Sequence, residues 1–307
     1  MTDLVVEHKL LDQDFAFKPE LKFSEDSHGL QFIEIDNTLA TAKIALQGAH
    51  VMQWQPKNVD DPVLWLSSNA RYVQGRSIRG GVPICWPWFG AHPTDSSYCP
   101  HGFARVMPWH LIDADTLQNG ATRLVLQIVD TPVGKKQLSY PYTLTLTMTI
   151  GETLKMDLST TNHGTHPFMI GEAFHTYFNV SDVSQIKLTG LEESMYADKV
   201  QNYERSMQHG SIKFSSEFDR VYINTTSDCV IEDAGMNRKI RVAKSGSNAT
   251  VVWTPWADKA HQMGDMGTPD EWRKTVCIET ANAMENSIVV NPNQTHTLTA
   301  EYSVEDL

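Results

Sequence analysis

Residues 142–150 read YTLTLTMTI, in which Tyr142, Leu144, Leu146, Met148 and Ile150 alternate with four threonines. Side chains along a strand point to opposite faces with a period of two, so this stretch predicts a strand with one apolar face buried. Working outward, the same alternation precedes it in Leu124, Leu126 and Ile128, follows it in Leu154, Met156 and Leu158, and returns in Leu298, Ala300 and Tyr302. Shorter pieces surround Ile44-Leu46, Val251-Trp253, Cys277-Glu279 and Ile288-Val290. No window of fifteen residues sustains an i, i+3, i+4, i+7 apolar pattern with caps, so only a few short helices are expected. Many strands in series without βα alternation predict an all-β chain of antiparallel sheets packed as a large sandwich.

The chain has 307 residues, 41% apolar and 20% charged, the balance of a globular protein. Length alone would permit two domains, but no linker, charge block or fixed-period repeat divides the sequence. One domain over residues 30–307 is expected, with residues 1–29 as an N-terminal extension packed on it. The 25 Lys+Arg against 37 Asp+Glu leave a net charge of −12. That disfavours nucleic acid and anionic membranes as partners, because both are bound through clustered cations. The same field repels a small anionic ligand unless local arginines override it. Cys85, Cys99, Cys229 and Cys277 form no CxxC pair and read as reduced, uncoordinated thiols. No signal-type leader and no run near the roughly 18 apolar residues of a membrane span is present, so a cytoplasmic protein is expected. The sequons at Asn179, Asn224, Asn248 and Asn293 carry no meaning in that setting.

Residues 76–93, RSIRGGVPICWPWFGAHP, hold three glycines, three prolines, two tryptophans and a phenylalanine. Such a stretch predicts an irregular loop. Its rings serve either as flat surface for the C–H face of a sugar or as core filling beneath the loop. Downstream, residues 101–105 place His101 and Arg105 near one turn, and Arg76 and Arg79 complete a trio of guanidiniums. Their planar forks suit phosphate or carboxylate oxygens, or they pair on the surface with some of the acids.

Residues 172–178, EAFHTYF, predict a strand with Phe174, Thr176 and Phe178 on one face and His175 and Tyr177 on the other. His175 is either a hydrogen-bonded structural histidine or an acid. Residues 275–281, TVCIETA, set Glu279 in a strand that reads as buried on both sides. Burial there raises a carboxyl toward neutrality and makes it a general base, unless the glutamate is one half of a structural ion pair. The histidines show neither HxxxH nor HExxH spacing, so no metal site is expected. These residues point to acid and base work on a polar, oxygen-rich small molecule.

Six segments taken in order, SIRGGVPICWPWFG, HGFARVMPW, AFHTYFNV, FDRVYIN, VVWTPWAD and CIETAN, resemble the hexose-6-phosphate mutarotase (glucose-6-phosphate 1-epimerase) branch of the aldose 1-epimerase family. The resemblance runs from about Leu30 to about Tyr302. It implies a galactose-mutarotase-like β-supersandwich that interconverts the α and β anomers of a hexose 6-phosphate without metal or organic cofactor. A monomer acting on a small sugar phosphate is expected. By position, the family's catalytic histidine falls on His175 and its catalytic glutamate on Glu279. Its substrate-binding arginines fall on Arg79 and Arg105, its binding aspartate on Asp219 and its pocket histidine on His101. Arg76 joins this set from its place in the arginine cluster. A glutamine often precedes HGFAR in the family, whereas this chain has Pro100 after Cys99, and some relatives carry Asn where Thr254 stands. Both departures bear on which sugar hydroxyl is read.

The mechanism so implied has Glu279 take the proton of the C1 hydroxyl while His175 donates one to the ring oxygen. Rotation about C1–C2 and reclosure then give the other anomer, with Arg79 and Arg105 on the phosphate. Rival readings are a mutarotase of neutral aldoses, a non-catalytic sugar-binding sandwich and, less well matched, a glycosidase, which needs two carboxylates.

Overall fold

The structure, a computed structural model, describes residues 18–307. In strand β8 (Tyr142–Ile150), Leu144, Leu146, Met148 and Ile150 are fully buried while the intervening threonines are half-buried. It pairs antiparallel with β9 (Leu154–Asn162), Leu146 facing Leu158 and Met148 facing Met156. A slip of one residue would turn the whole apolar row outward, so burial fixes the register. An eight-stranded sheet, in the order β13-β17-β18-β22-β9-β8-β7-β6, grows around this pair. Its other members are β6 (Trp109–Thr116), β7 (Thr122–Ile128), β13 (Lys187–Thr189), β17 (Cys229–Asp233), β18 (Arg238–Ser245) and β22 (Thr295–Asp306).

A second eight-stranded sheet packs against the first. It contains β5 (Ile84–Cys85), β11 (Glu172–Phe174), β12 (Tyr177–Asn179), β14 (Met195–Asp198), β15 (Glu204–Met207), β16 (Phe218–Ile223), β19 (Ala249–Thr254) and β20 (Thr275–Asn282). Its order is β15-β14-β16-β19-β20-β11-β5, with β12 also on β20. The two sheets meet where the Phe178 ring packs 5.2 Å from that of Tyr302 and Thr176 Oγ1 lies 2.5 Å from Tyr302 Oη. A meander of β1 (Leu21–Glu25), β2 (Gln31–Asp36), β3 (Ala40–Ala45) and β4 (His50–Pro56) and a ribbon of β10 (Phe168–Ile170) with β21 (Ile288–Val290) complete the strands among the described residues. Pro132–Gln137 and Trp256–Met263 are the short α-helices among the described residues, in keeping with the strand-rich reading. Of the expected N-terminal extension, residues 1–17 lie outside the described residues; β1 pairs with β2, Phe23 facing Ile33.

Strands β19 and β20 are buried at every residue, which is why their sequences do not alternate. Val276 and Ile278 face the sandwich interior, whereas Cys277, Glu279 and Ala281 face the opposite side of the sheet. The strand expected over 172–178 is broken. His175 donates its N–H to the Pro83 carbonyl of the aromatic loop, Thr176 turns its own back to the Phe174 carbonyl instead of to β20, and Ile278 of β20 still donates to the Thr176 carbonyl at 3.3 Å. The register survives the break: Phe174 opposes Thr280 and Tyr177 opposes Cys277, so His175 lies across from Glu279.

Candidate active site

Residues directly opposed in a sheet project from the same face. Tyr177 opposes Cys277, Cys277 opposes Trp253 and Trp253 opposes Asp219, so β12, β20, β19 and β16 deliver one row across the outer face of the second sheet. Lys199, just past β14, extends the row by donating its N–H to the Asp219 carbonyl at 2.8 Å. Two residues along from Tyr177 and Cys277 stand His175 and Glu279. His175 Nε2 lies 3.4 Å from Glu279 Oε1, with the side chains only 12% and 2% exposed. These two groups sit at the floor of the site.

Aromatic rings hold the histidine. His175 stacks on Tyr177 at 4.9 Å and 11°, Tyr177 stacks on Trp65, and Trp253 meets both His175 and Tyr177 edge-on. His101 completes the wall, T-shaped to His175 at 5.7 Å and to Phe89 at 4.8 Å. The aromatic loop divides between its two readings. Trp86 is fully buried with Nε1–H donating to Thr160, and Trp88 packs on Tyr98 and Phe103, so both are core; Phe89 alone of the three touches the site.

Backbone geometry places the cations. Gly102 has φ +74°, and a Cβ there would lie 2.0 Å from the Trp86 carbonyl oxygen, so the chain between His101 and Arg105 presses against the loop as only glycine permits. Arg105 follows in a single 3₁₀ turn, and its Nη2 donates to the Pro100 carbonyl at 2.6 Å. Arg79 donates through Nη1 to Tyr177 Oη at 2.7 Å and through Nη2 to Asp265 Oδ2 at 3.1 Å. Asp265 reaches it because Gly264, left-handed at φ 69°, ends the helix Trp256–Met263. Lys199 Nζ lies 2.9 Å from Asp219 Oδ2.

Burial governs the electrostatics. It pushes Glu279 well above the usual carboxylate range; Lys199 pulls against this, Asp219 adds to it and Arg105 opposes it. Burial holds His175 well below its ordinary value, helped by His101, Arg105 and Arg79. His101 is held down to about 3, again by burial first and then by Arg105, Lys199 and Arg79. Asp219 is raised by burial against the pull of Lys199, and burial lowers Lys199 but is outweighed by Asp219 together with Glu279 and Tyr203, so that Lys199 is raised. Among the described residues, thirteen buried side-chain nitrogen and oxygen atoms have no partner, and six belong here: His175 Nδ1, Glu279 Oε2, Asp219 Oδ1, Arg79 Nε, Arg105 Nε and Asp265 Oδ1. Folded proteins leave few such groups unpaired, so their concentration marks a place where a ligand's oxygens complete the set.

The fold thus gathers His175, Glu279, Arg79, Arg105, His101 and Asp219. Arg76 stays exposed and is not among the charges acting on His175, His101 or Glu279. Sequence reasoning missed Lys199 and Asp265, polar residues in turns with no apolar setting to single them out. A groove of about 1200 Å³ lies elsewhere, between the first meander and residues 268–274, and holds none of the gathered groups.

The aldose 1-epimerase family model matches residues 31–303. The chain belongs to the aldose 1-epimerase family. It is 38% identical over 274 residues, 87% of this chain and 88% of the other, to an Escherichia coli protein named as a candidate glucose-6-phosphate 1-epimerase. A protein of the same name from Cenchrus ciliaris is 35% identical, over 82% of this chain and 78% of its own. A crystal structure of a candidate mutarotase, YeaD, from Salmonella typhimurium superposes with a TM-score of 0.88 at 30% identity, covering 97% of this chain and 100% of that one. A galactose mutarotase-like protein from Clostridium acetobutylicum shares the fold, with a TM-score of 0.73 at 15% identity over 94% of this chain and 98% of its own. The all-β sandwich of antiparallel sheets expected from the strand pattern, and the galactose-mutarotase-like form implied by the resemblance, are the architecture of these relatives.

Proposed function

We propose that this protein interconverts the α and β anomers of a hexose 6-phosphate, glucose 6-phosphate or a close relative, by acid and base ring opening and reclosure. The observation that carries this reading is His175 set across from Glu279, 3.4 Å apart, with Arg79, Arg105 and Lys199 acting on one or both. The C1 hydroxyl and the ring oxygen share one carbon, so their base and acid must stand this close. A separation of 3.4 Å exceeds a good hydrogen bond and is too short to admit an atom between the two groups, so each is left to bond a substrate oxygen lying alongside the pair. Glu279 removes the C1 hydroxyl proton, the C1–ring-oxygen bond breaks, and His175 delivers a proton to that oxygen. After rotation about C1–C2 the ring hydroxyl attacks the other face of the aldehyde, His175 recovers its proton and Glu279 returns the other to O1. Every proton is restored, so the pair cycles with one proton shared between its members.

In this reading Asp219 Oδ1 and His101 bond sugar hydroxyls, and Arg79 and Arg105 bond the phosphate. The names of the relatives support the phosphorylated substrate. One observation favours the neighbouring reading, a mutarotase of neutral aldoses: both terminal nitrogens of Arg79 are already engaged, by Tyr177 and Asp265. Magnetisation transfer between anomeric protons separates the two. Glucose 6-phosphate is expected to exchange faster than glucose at equal enzyme, and Arg105→Ala to slow the phosphate ester by about 10-fold or more through binding, on the scale of a lost charge-assisted hydrogen bond, while sparing glucose. Equal rates and equal losses would favour the neutral sugar. We place this activity in one domain over residues 30–307, in the cytoplasm. Supporting this are one apolar cluster running from Ile33 to Tyr302 and four unpaired thiols of the kind that reducing compartments maintain.

A further inference from the structure

Lys199 is a cation in a site whose sequence resemblance assigns it no role. Its backbone N–H holds the Asp219 carbonyl and its ammonium lies 2.9 Å from Asp219 Oδ2, with the side chain 26% exposed against 10% for the aspartate. That contact leaves Asp219 Oδ1 buried without a partner, beside a second buried carboxylate whose Oε2 is likewise unpaired. Two anions on one face of a sheet cannot both persist without a counter-charge. We infer that Lys199 is a positioning residue: its ammonium clamps Asp219 Oδ2, leaves Oδ1 free for a sugar hydroxyl, and supplies the positive charge that balances Asp219 and Glu279 together. The inference rests on the proposed acid and base roles of the site.

The other charges near the two carboxylates do not fill this place. Asp219 also feels Lys259 and Glu217, which are paired with each other. Glu279 faces Lys199, Asp219, Arg105 and His175, and Arg105 is turned to the Pro100 carbonyl. Burial alone drives both carboxyls toward their protonated forms, and Lys199 is the first charge that opposes it in each. Removing the ammonium therefore favours protonation, so carboxylate function is lost at low pH and regained as pH rises.

The test compares wild type, Lys199→Met and Lys199→Arg in the pH profile of kcat/KM for glucose 6-phosphate anomer exchange. It is paired with ¹³C NMR titration of side-chain carboxyls in uniformly Asp- and Glu-labelled protein. For Lys199→Met the acid limb is expected to move to higher pH by about one pH unit or more, the scale of a nearby opposite charge. That means about a 10-fold loss on the acid limb which recovers as pH rises, with the two affected carboxyl resonances moving likewise and Lys199→Arg close to wild type. A loss equal at every pH with unmoved carboxyl titrations would overturn the inference, as would an unchanged profile. The carboxyl titrations are read without turnover: if the wild type accelerates no exchange, the proposed activity fails while the charge-balancing role is still decided.

Discussion

His175 has one ring nitrogen facing Glu279 and the other buried without a partner, and a neutral, stacked imidazole so placed serves as an acid only when the pair holds an extra proton. The pH profile of exchange is therefore expected to be bell-shaped. At low pH both groups are protonated and the base is lost; at high pH neither is and the acid is lost. His175→Asn should lower kcat by about 100-fold or more, the usual scale of a positioned acid, with an unchanged circular dichroism spectrum. A folded variant that keeps most of its activity would remove His175 from the chemistry. Glu279 was legible in the sequence because an acid amid Val276, Cys277, Ile278 and Ala281 contradicts its surroundings. Lys199 follows strand β14 in a turn, where a lysine is unremarkable, and only the strand pairing reveals that it meets Asp219. Arg76 shows the converse, since it stands three positions from Arg79 in sequence yet remains exposed while Arg79 is half-buried.

At the scale of elements, alternation made β8 and β9 readable, because one face of each meets the core and the other does not. The break at His175 and Thr176 was not readable. It lies in Thr176, whose N–H turns back to the Phe174 carbonyl while the neighbouring His175 N–H bonds Pro83, ninety-two positions away in sequence. The loop that supplies Pro83 is seated by glycine contacts, and Gly102→Ala tests their worth. The added methyl meets the Trp86 carbonyl oxygen at a positive φ, so His101 and Arg105 must shift. A destabilisation of about 1–3 kcal/mol and a drop in kcat/KM larger than for a surface Gly→Ala control are expected from urea unfolding and exchange assays. Wild-type stability and activity in this variant would show that the close approach is relaxed in solution. Trp86 and Trp88 belong to the same lesson: an aromatic-rich loop looks alike in sequence whether its rings face a ligand or the core, and burial decides for the core here.

At the scale of the whole molecule, the site exists because one face of the second sheet is left for the ligand while the other is pinned to the first sheet. Apolar contacts supply most of that attachment, and a buried polar tie adds to it: Glu172 of β11, fully buried, lies 2.8 Å from His296 of β22, and Asn282 donates to the same carboxylate. Removing His296 leaves the buried Glu172 with Asn282 as its remaining side-chain donor, so His296→Ala should cost about 1–3 kcal/mol in urea unfolding. Exchange activity of the folded fraction should be retained, because the tie lies on the other face of β20 from Glu279. A loss below about 0.5 kcal/mol, the level of an ordinary surface change, would show that the sheets do not depend on it. The net charge of −12 and the cationic site are compatible for the same reason: the fold concentrates Arg79, Arg105 and Lys199 on one face against a negative whole. The central claim, that Glu279 drives anomer interconversion of a hexose 6-phosphate, is tested most directly by NMR exchange spectroscopy on equilibrated glucose 6-phosphate with wild type, with Glu279→Gln and without protein. The account predicts magnetisation transfer between the anomeric protons well above buffer for wild type and lower by about 100-fold or more for a folded Glu279→Gln. Wild type no faster than buffer, or a folded Glu279→Gln as fast as wild type, would contradict it.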